Sequence, residues 1–328
     1  MQQERDVRAG RVERVADLDE AGLLERLLPG LPTRALLGPG DDAALVAAPD
    51  GRVVATTDVL VERRDFRRDW SSGADVGWKA VAQNVADVAA MGASSTGLLV
   101  SLGLPGELEL SWVESFAEGL GAACRAFGTV VVGGDLSSAD EVVVAVTALG
   151  DLAGRAALLR SGAGPGDVVA VAGTLGRSAA GLLLLQEGAR EDVDGLLAAH
   201  RRPVPPVAAG PAAARAGASA LMDVSDGLLR DAGRLAAASG VVLALRTEGT
   251  ALGRWSGELT SAVGARALTC VLTGGEDHAL LGCFPAAAAL PEGFEVVGRV
   301  LAGEPAVLVD GAPAAVRGTG WDHFAPGS

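Results

Sequence analysis

Five places in this chain set a carboxylate where a strand meets glycine or small polar residues. They are GPGDDAAL at 38–45, TTD at 56–58, VGGDLSS at 132–138, MDVSDG at 222–227 and TGGEDHAL at 273–280. A sixth acid, Asp87, lies inside the apolar helical stretch VGWKAVAQNVADVAAMGA at 76–93. It shares a helix face with Gln83 and Asn84, four and three residues back. An isolated charge is costly in such surroundings, so Asp87 is either solvated or met by a cation. Carboxylates and hydroxyls at strand ends suit a hard cation. Mg²⁺ takes oxygen ligands and commonly bridges one or two protein carboxylates to substrate phosphates. The glycines would let backbone N–H groups approach phosphate oxygens. Each motif taken alone has a plainer reading. GGD is a turn, SDG an N-cap and TTD a strand end with a solvated acid. Their shared chemistry is what points to a site for several cations and an anionic substrate.

The composition narrows the classes. Net charge is −14, with 27 basic residues of which one, Lys79, is lysine. Such an acidic chain lacks the positive footprint of a nucleic-acid binder. Apolar residues make up 49% and charged residues 21%, which predicts a soluble globular protein. The charged N-terminal stretch has no apolar segment of signal-peptide type, and no run is long enough to span a bilayer. The expected location is cytoplasmic, without membrane attachment. Cys124, Cys270 and Cys283 are read as buried thiols in a reducing compartment. There is no G-x-x-x-x-G-K-[ST] and no G-x-S-x-G, and the three histidines lack zinc spacing. Lys79 reads as a surface lysine, or as a balance for the acids on its helix. His278 and His323 read as structural.

The elements that must position these residues follow from periodicity and punctuation. Ala44–Ala48 and Arg52–Val61, joined by Pro49-Asp50-Gly51, predict a β-hairpin. A helix is expected from Asp75 to Met91, ended by Gly92. A second begins at Ser111 with Glu114 completing a capping box, and ends at Gly128. Strands are predicted at Leu98–Leu102, Thr129–Val132 and Glu141–Leu149, the last two flanking a glycine–acid loop. Past the Gly-rich 161–167 loop come a strand at Val168–Ala172, a helix from Ser178 and a proline-punctuated connector at 200–211. A strand at Leu221–Val224 then runs through SDG into a helix ending at Ser239. Further strands are expected at Val241–Leu245, Ala267–Leu272, His278–Phe284, Glu295–Val300 and Ala306–Val309. The pattern reads as two α+β domains, 1–152 and 153–328.

GDDAAL, TTDVLVE, WKAVAQNVADVAAMGA, GGD, Arg160 before SGAGPGD, MDVSDGLLRD, TGGEDHAL and the final GWDHF occur in this order. Together they resemble the thiamine-monophosphate kinase family, within the aminoimidazole ribonucleotide synthetase-like superfamily, over residues 36–324. The resemblance implies a two-domain α+β fold, with a dimeric β-barrel-like interface made by the N-terminal domains and a C-terminal α/β sandwich. It implies ATP-dependent phosphorylation of thiamine monophosphate to thiamine diphosphate, with several Mg²⁺ ions, in a homodimer. The acceptor phosphate is already ionised at neutral pH, so no general base is expected. By the same resemblance Asp42, Thr56, Thr57, Asp58, Asp87, Asp135, Asp223 and Asp226 are metal ligands. Gly134, Asp135, Arg160 and Ser225 meet ATP, and Glu276 and Trp321 meet thiamine. The indole of Trp321 also suits the fixed thiazolium cation, although it could equally anchor the tail on the core. Where the family reads G-x-H-F, this chain reads Arg63-Arg64-Asp65-Phe66, which puts Asp65 at a substrate-facing position with the opposite charge. Arg63 and Arg64 could compensate, or the run could be a solvated loop. Another ATP-using enzyme of the superfamily, or a non-catalytic nucleotide or thiamine-phosphate binder, are the alternatives.

Overall fold

The computed structural model describes residues 12–18, 20–32, 46–192, 194–316, 318 and 320–321. Asp42, His323 and the end of the GWDHF motif lie outside them. The chain divides into two compact units. One holds Thr57–Val81, Gly97–Thr147 and the chain up to Val46; the other holds Ala47–Thr56, Ala82–Thr96 and the chain from Ala148 onward.

After α1 (Glu20–Leu27), the chain forms β1 (Val54–Val61), α2 (Gly73–Ala90), β2 (Ser94–Leu104), α3 (Leu110–Phe127), β3 (Val131–Ser138) and β4 (Val143–Asp151). The sheet order is β1-β4-β2-β3, with β2 and β3 parallel. Alternation along β1 and β4 is regular: Leu60, Val144 and Val146 are buried, while Thr57 and Val59 face outward. Helices α2 and α3 touch backbone to backbone. A Cβ on Gly73, Gly77 or Gly119 would run into the main chain of the facing helix at Trp112, Phe116 or Ala74. Gly128, in the left-handed region at φ 72°, ends α3 as expected.

The second unit contains β5 (Val168–Ala172), α4 (Arg177–Gln186), α5 (Leu196–Arg201), α6 (Ala209–Arg215), β6 (Ala220–Val224), α7 (Leu228–Ser239), β7 (Val242–Leu245), α8 (Ala251–Val263), α9 (Ala267–Thr273), β8 (Ala279–Phe284), β9 (Phe294–Leu301) and β10 (Ala306–Val309). Its sheet runs β10-β7-β9-β5-β8-β6; the β10–β7 pair is parallel and the rest antiparallel. Both faces are covered, which is why β5, β6 and β8 read as continuous apolar runs rather than alternating ones. Val169, Val171, Met222 and Leu281 pack toward α4, α7, α8 and α9. Ala170, Leu221, Leu280 and Phe284 pack toward α6 and the end of α2.

Five expectations need correction. Val46–Ala48 is not a strand, so the 44–61 hairpin is absent among the described residues. Gly133, Gly134 and Asp135 are not in a loop but inside β3, paired with β2. The N-cap of α3 is Glu109, not Ser111, whose hydroxyl instead donates to Glu109 at 3.4 Å. Ala267–Leu272 is helix, not strand, because a short buried apolar run has no period that separates the two. Helix α8 was hidden by Gly253, Gly257 and its hydroxyl residues, although Leu252, Trp255, Leu259 and Val263 mark a buried face.

Replacing Gly77 or Gly119 by Ala tests the α2–α3 approach. Propensity alone would favour Ala by ~1 kcal/mol. Overpacking against the facing backbone should outweigh this and cost roughly 1–3 kcal/mol, read as a lower urea midpoint at unchanged m.

Candidate active site

Asp223 is the fourth residue of β6, buried at 4% exposure, with its carboxylate toward the start of β8. Its Oδ2 lies 3.8 Å from His278 Nδ1, and among the described residues neither atom has a hydrogen-bond partner. Burial works against a protonated His278, but the carboxylates of Asp223, Glu276 and Asp87 outweigh it and raise the imidazole's pKa. His278 thus stands among three of the acids, whose charges favour its protonated form. Asp87, half-buried on α2, accepts a hydrogen bond from Thr56 Oγ1 at 2.7 Å.

Two loops hold this arrangement through their backbones. The N–H of Glu276 donates to Ser225 O at 2.8 Å, and a Cβ on Gly275 would strike that same carbonyl. Gly227, at φ 124°, leaves no room for a Cβ, which would sit 2.5 Å from Thr273 O. The tail joins them: Trp321 N–H donates to Asp226 O at 2.8 Å. The Trp321 side chain remains 41% exposed, which does not fit a tail anchor buried in the core. Glu276 and His278 both adopt positive φ, 63° and 53°, a strained state for such side chains.

Neighbouring acids brace the loops. Asp231 Oδ2 accepts the N–H groups of Asp226 and Gly227 at 3.0 and 3.1 Å, so SDG is capped from inside α7. Burial and the nearby Asp223 carboxylate push Asp231 up to about 6. Arg234 bridges Asp231 and Asp226, each at 2.7 Å. Asp277 accepts the Gly176 and Ser178 N–H groups at 2.8 and 3.0 Å, fastening the GGED loop to the first turn of α4. Burial pushes it, too, up to about 6.

Along β1 the period of the strand separates the TTD residues. Thr56 and Asp58 share the inner face of the strand, whereas Thr57 points outward and donates to Val146 O at 2.9 Å. Gly134 and Asp135 lie in β3 opposite Val100 and Ser101; a Cβ on Gly134 would meet Val100 O, and Asp135 is exposed. The run Glu62-Arg63-Arg64-Asp65 is a tight turn. Asp65 Oδ2 accepts Val61 N–H at 2.8 Å, Asp65 N–H donates to Val61 O, and Arg63 sits at φ 67°. Arg63 pairs with Glu141 at 3.4 Å and is well exposed. Glu62 is buried and pairs with Arg68 at 2.7 Å. Lys79 is buried, not at the surface as its type suggested.

In the second unit Arg160 is exposed beside β6, and its carbonyl accepts the Ser239 hydroxyl. The three cysteines are buried and free, and burial pushes Cys124 and Cys283 up to about 12, so neither is a nucleophile at neutral pH. Among the described residues no three His, Cys, Asp or Glu side chains form a group able to hold a metal ion by themselves. The hard-oxygen donors still fit Mg²⁺ bound together with a nucleotide, since that ion needs only one or two protein carboxylates, and Asp223 Oδ2 is buried without a hydrogen-bond donor. No helix among the described residues is long and apolar enough to cross a membrane. Sequence reasoning passed over Asp231, Asp277, Ser178 and His200. Asp277 was signalled by its place beside Glu276 and Asp231 by its place in the first turn after Gly227; nothing in the sequence signals His200.

The sequence matches the AIR synthase related protein families, N-terminal domain over residues 40–152 and C-terminal domain over 164–310. The thiamine-monophosphate kinase of Mycobacterium tuberculosis is 48% identical over 94% of this chain and 92% of its own. The crystal structure of thiamine-monophosphate kinase from Stenotrophomonas maltophilia has a TM-score of 0.76 at 33% identity, covering 90% of this chain and 98% of that one. AaThiL complexed with AMPPCP and TMP has a TM-score of 0.77 at 36% identity, covering 95% of this chain and 99% of that one.

Asp277 predicts a pH dependence of stability. Its carboxyl ionises near 3.8 in the unfolded chain and at about 6 when folded. Between those values the folded state holds the extra proton. Stability therefore falls as pH rises from about 4 to about 6 and is level above, by up to about 3 kcal/mol. Urea unfolding across that range should show the slope in the wild type and a shallower one in Asp277→Asn, where Asp231, also pushed up to about 6, still contributes.

Proposed function

The chain belongs to the thiamine-monophosphate kinase family of AIR synthase related proteins, and we propose how its residues divide the work of that family's reaction. It is a phosphotransferase that moves the γ-phosphoryl group of ATP onto thiamine monophosphate, giving thiamine diphosphate and ADP. Two backbone hydrogen bonds support the assignment of roles most directly. Glu276 N–H to Ser225 O and Trp321 N–H to Asp226 O bring the acid loop, the GGED loop and an exposed indole side by side.

The acceptor is a phosphate oxygen already ionised at pH 7, so the residues need not remove a proton. Their task is to gather anions and align them in line. Asp42, Thr56, Asp58, Asp87, Asp135, Asp223 and Asp226 are the residues that would hold Mg²⁺, with Thr57 joining through its main chain, since its hydroxyl is engaged with Val146. When bound, Mg²⁺ neutralises the phosphate oxygens and the charge that develops on them. Arg160 meets the ATP phosphates, Gly134 brings backbone close to the nucleotide, and Ser225 contacts it. Glu276 and Trp321 receive thiamine, the indole face by cation–π attraction to the thiazolium. In the domain division 1–152 and 153–328, the first domain supplies the TTD and GGD ligands and the second the Arg160, SDG, GGED and Trp321 contacts. Asp65, closing its own turn through Val61, is the residue of the set with least support as a substrate contact. Three free, buried thiols support a reducing, cytoplasmic setting.

The homodimer is part of the same reading. Val59 and Leu99 lie 49% and 38% exposed on the outward face of the first unit's sheet, next to half-buried Val143 and Ala145. An apolar sheet face of this kind marks an interface, and a second copy is the occupant proposed.

Purified protein with ATP, Mg²⁺ and thiamine monophosphate should form thiamine diphosphate and ADP; no product would sink the assignment. Asp58→Asn and Asp87→Asn should each lower kcat by roughly 10²-fold or more, with unfolding curves like the wild type. Retained turnover in both would remove the metal-ligand roles. Sedimentation equilibrium should give twice the chain mass, falling to one in a Val59→Asp/Leu99→Asp double variant.

A further inference from the structure

The side chain of Glu276 is held by a residue that has no role in the family reading. His200, near the end of α5 and only 5% exposed, places Nδ1 3.3 Å from Glu276 Oε2 and 3.1 Å from Ser178 Oγ. A carboxylate only accepts hydrogen bonds, so a favourable contact at Nδ1 requires the proton there. Ser178, 1% exposed on α4, then supports the same ring edge. The ring itself has little freedom. Gly181 on α4 lets α5 close in: a Cβ there would meet the Leu196 carbonyl and lie 3.1 Å from His200 Cβ.

The main chain of Glu276 is already fixed on both sides. Its N–H bonds Ser225 O, and the next residue, Asp277, is clamped to the start of α4. The contact with His200 bears instead on the side-chain torsions that aim the carboxylate. The Glu276 side chain is one-third exposed and His200 is buried, so the imidazole lies on the protein side of a carboxylate that still reaches solvent. This is the geometry of a positioning residue. The supporting group is rigid and hidden, and the group it aims is accessible.

We propose that His200 is a positioning residue for the organic end of the substrate. Through Nδ1–H it holds the Glu276 carboxylate in the orientation that accepts a donor of the thiamine ring system, whose aminopyrimidine carries an amine. The inference rests on the reading of Glu276 as a thiamine contact. The inference gives His200 no part in holding ATP or the transferred phosphate. Losing it should therefore weaken thiamine monophosphate binding without slowing transfer at saturation.

Steady-state kinetics on the full chain, with thermal unfolding as a control, test this. Glu276→Gln and His200→Ala are each expected to raise KM for thiamine monophosphate by roughly fivefold to tenfold. KM for ATP and kcat should stay within about twofold. The double variant should be no worse than Glu276→Gln alone, because the imidazole acts only through that carboxylate. His200→Asn keeps an N–H donor near the Nδ1 position and should recover most of the loss. His200→Gln places its donor further out, should not recover it, and substitutes for His200→Ala if the latter unfolds. If Glu276→Gln raises that KM and neither His200→Ala nor His200→Gln does, the positioning role is overturned and the Glu276 reading survives. If Glu276→Gln leaves the KM unchanged, the Glu276 reading fails and takes the inference with it. A parallel loss in both KM values and kcat would reduce His200 to a general packing residue and also overturn it.

Discussion

Carboxylates repel one another, and the second unit must keep several of them in a small volume. At an effective dielectric near 20, two charges 4 Å apart cost about 4 kcal/mol, so several acids cannot be gathered without compensation. The structure supplies it in three forms. Backbone N–H groups converge on Asp231 and Asp277. A fixed cation stands between two of the acids, Arg234 spanning Asp226 and Asp231, and the imidazole of His278 faces Asp223. Burial works in the same direction as repulsion: it pushes Asp231 and Asp277 up to about 6, so both take up a proton more readily than an ordinary carboxylate. The acids divide accordingly. Asp231 and Asp277 spend their oxygens on the protein's own backbone. Asp223 keeps a buried oxygen without a hydrogen-bond donor among the described residues.

That division explains the glycines around the acids. A loop whose carboxylates must face outward can be steadied only through its main chain. Ser225, Asp226, Thr273 and Glu276 offer carbonyls and N–H groups at close range. Gly227 and Gly275 let those groups meet, since any side chain at either position would collide with the opposite loop. The positive φ values of Glu276 and His278 are the strain left over from this arrangement. It is sustained because both flanks of the loop are tied, one to SDG and one to α4.

Much of this could be read from residue order alone. The strands β5, β6, β8 and β9, helix α7 and the left-handed cap at Gly128 follow from apolar runs and their punctuation. So did the acids, because a carboxylate beside glycine at a strand end has a chemistry of its own. The failures have two causes: pairing partners that are remote in sequence, and short runs whose period does not decide. GGD looks like a turn until β2 lies beside it, and its glycine reflects the nearness of the Val100 carbonyl as much as any ligand. ALTCVL has no period that decides between helix and strand. His200 stands 76 residues from the carboxylate it meets, in a connector that reads only as proline-rich.

The charged run after β1 shows how the same residues change meaning once folded. Four charges in a row suggested either a substrate contact of reversed sign or a solvated loop. Arg63 and Arg64 are exposed, as a solvated loop would have them, but the turn around them is tightly pinned. Glu62 is buried against Arg68 and the Val142 N–H, and Phe66 is buried near Trp112, with ring centroids 6.4 Å apart. Both ends of the run are thus pinned. Between them Arg63 takes a left-handed conformation and Asp65 accepts the Val61 N–H. A histidine at position 65 would have a longer, ring-shaped side chain with a different reach, so the carboxylate's short span suits closing this turn. Only Arg63 and Arg64 keep exposed charge, and Arg63 leans on Glu141. One oxygen of Asp65 is thus turned inward to a backbone donor.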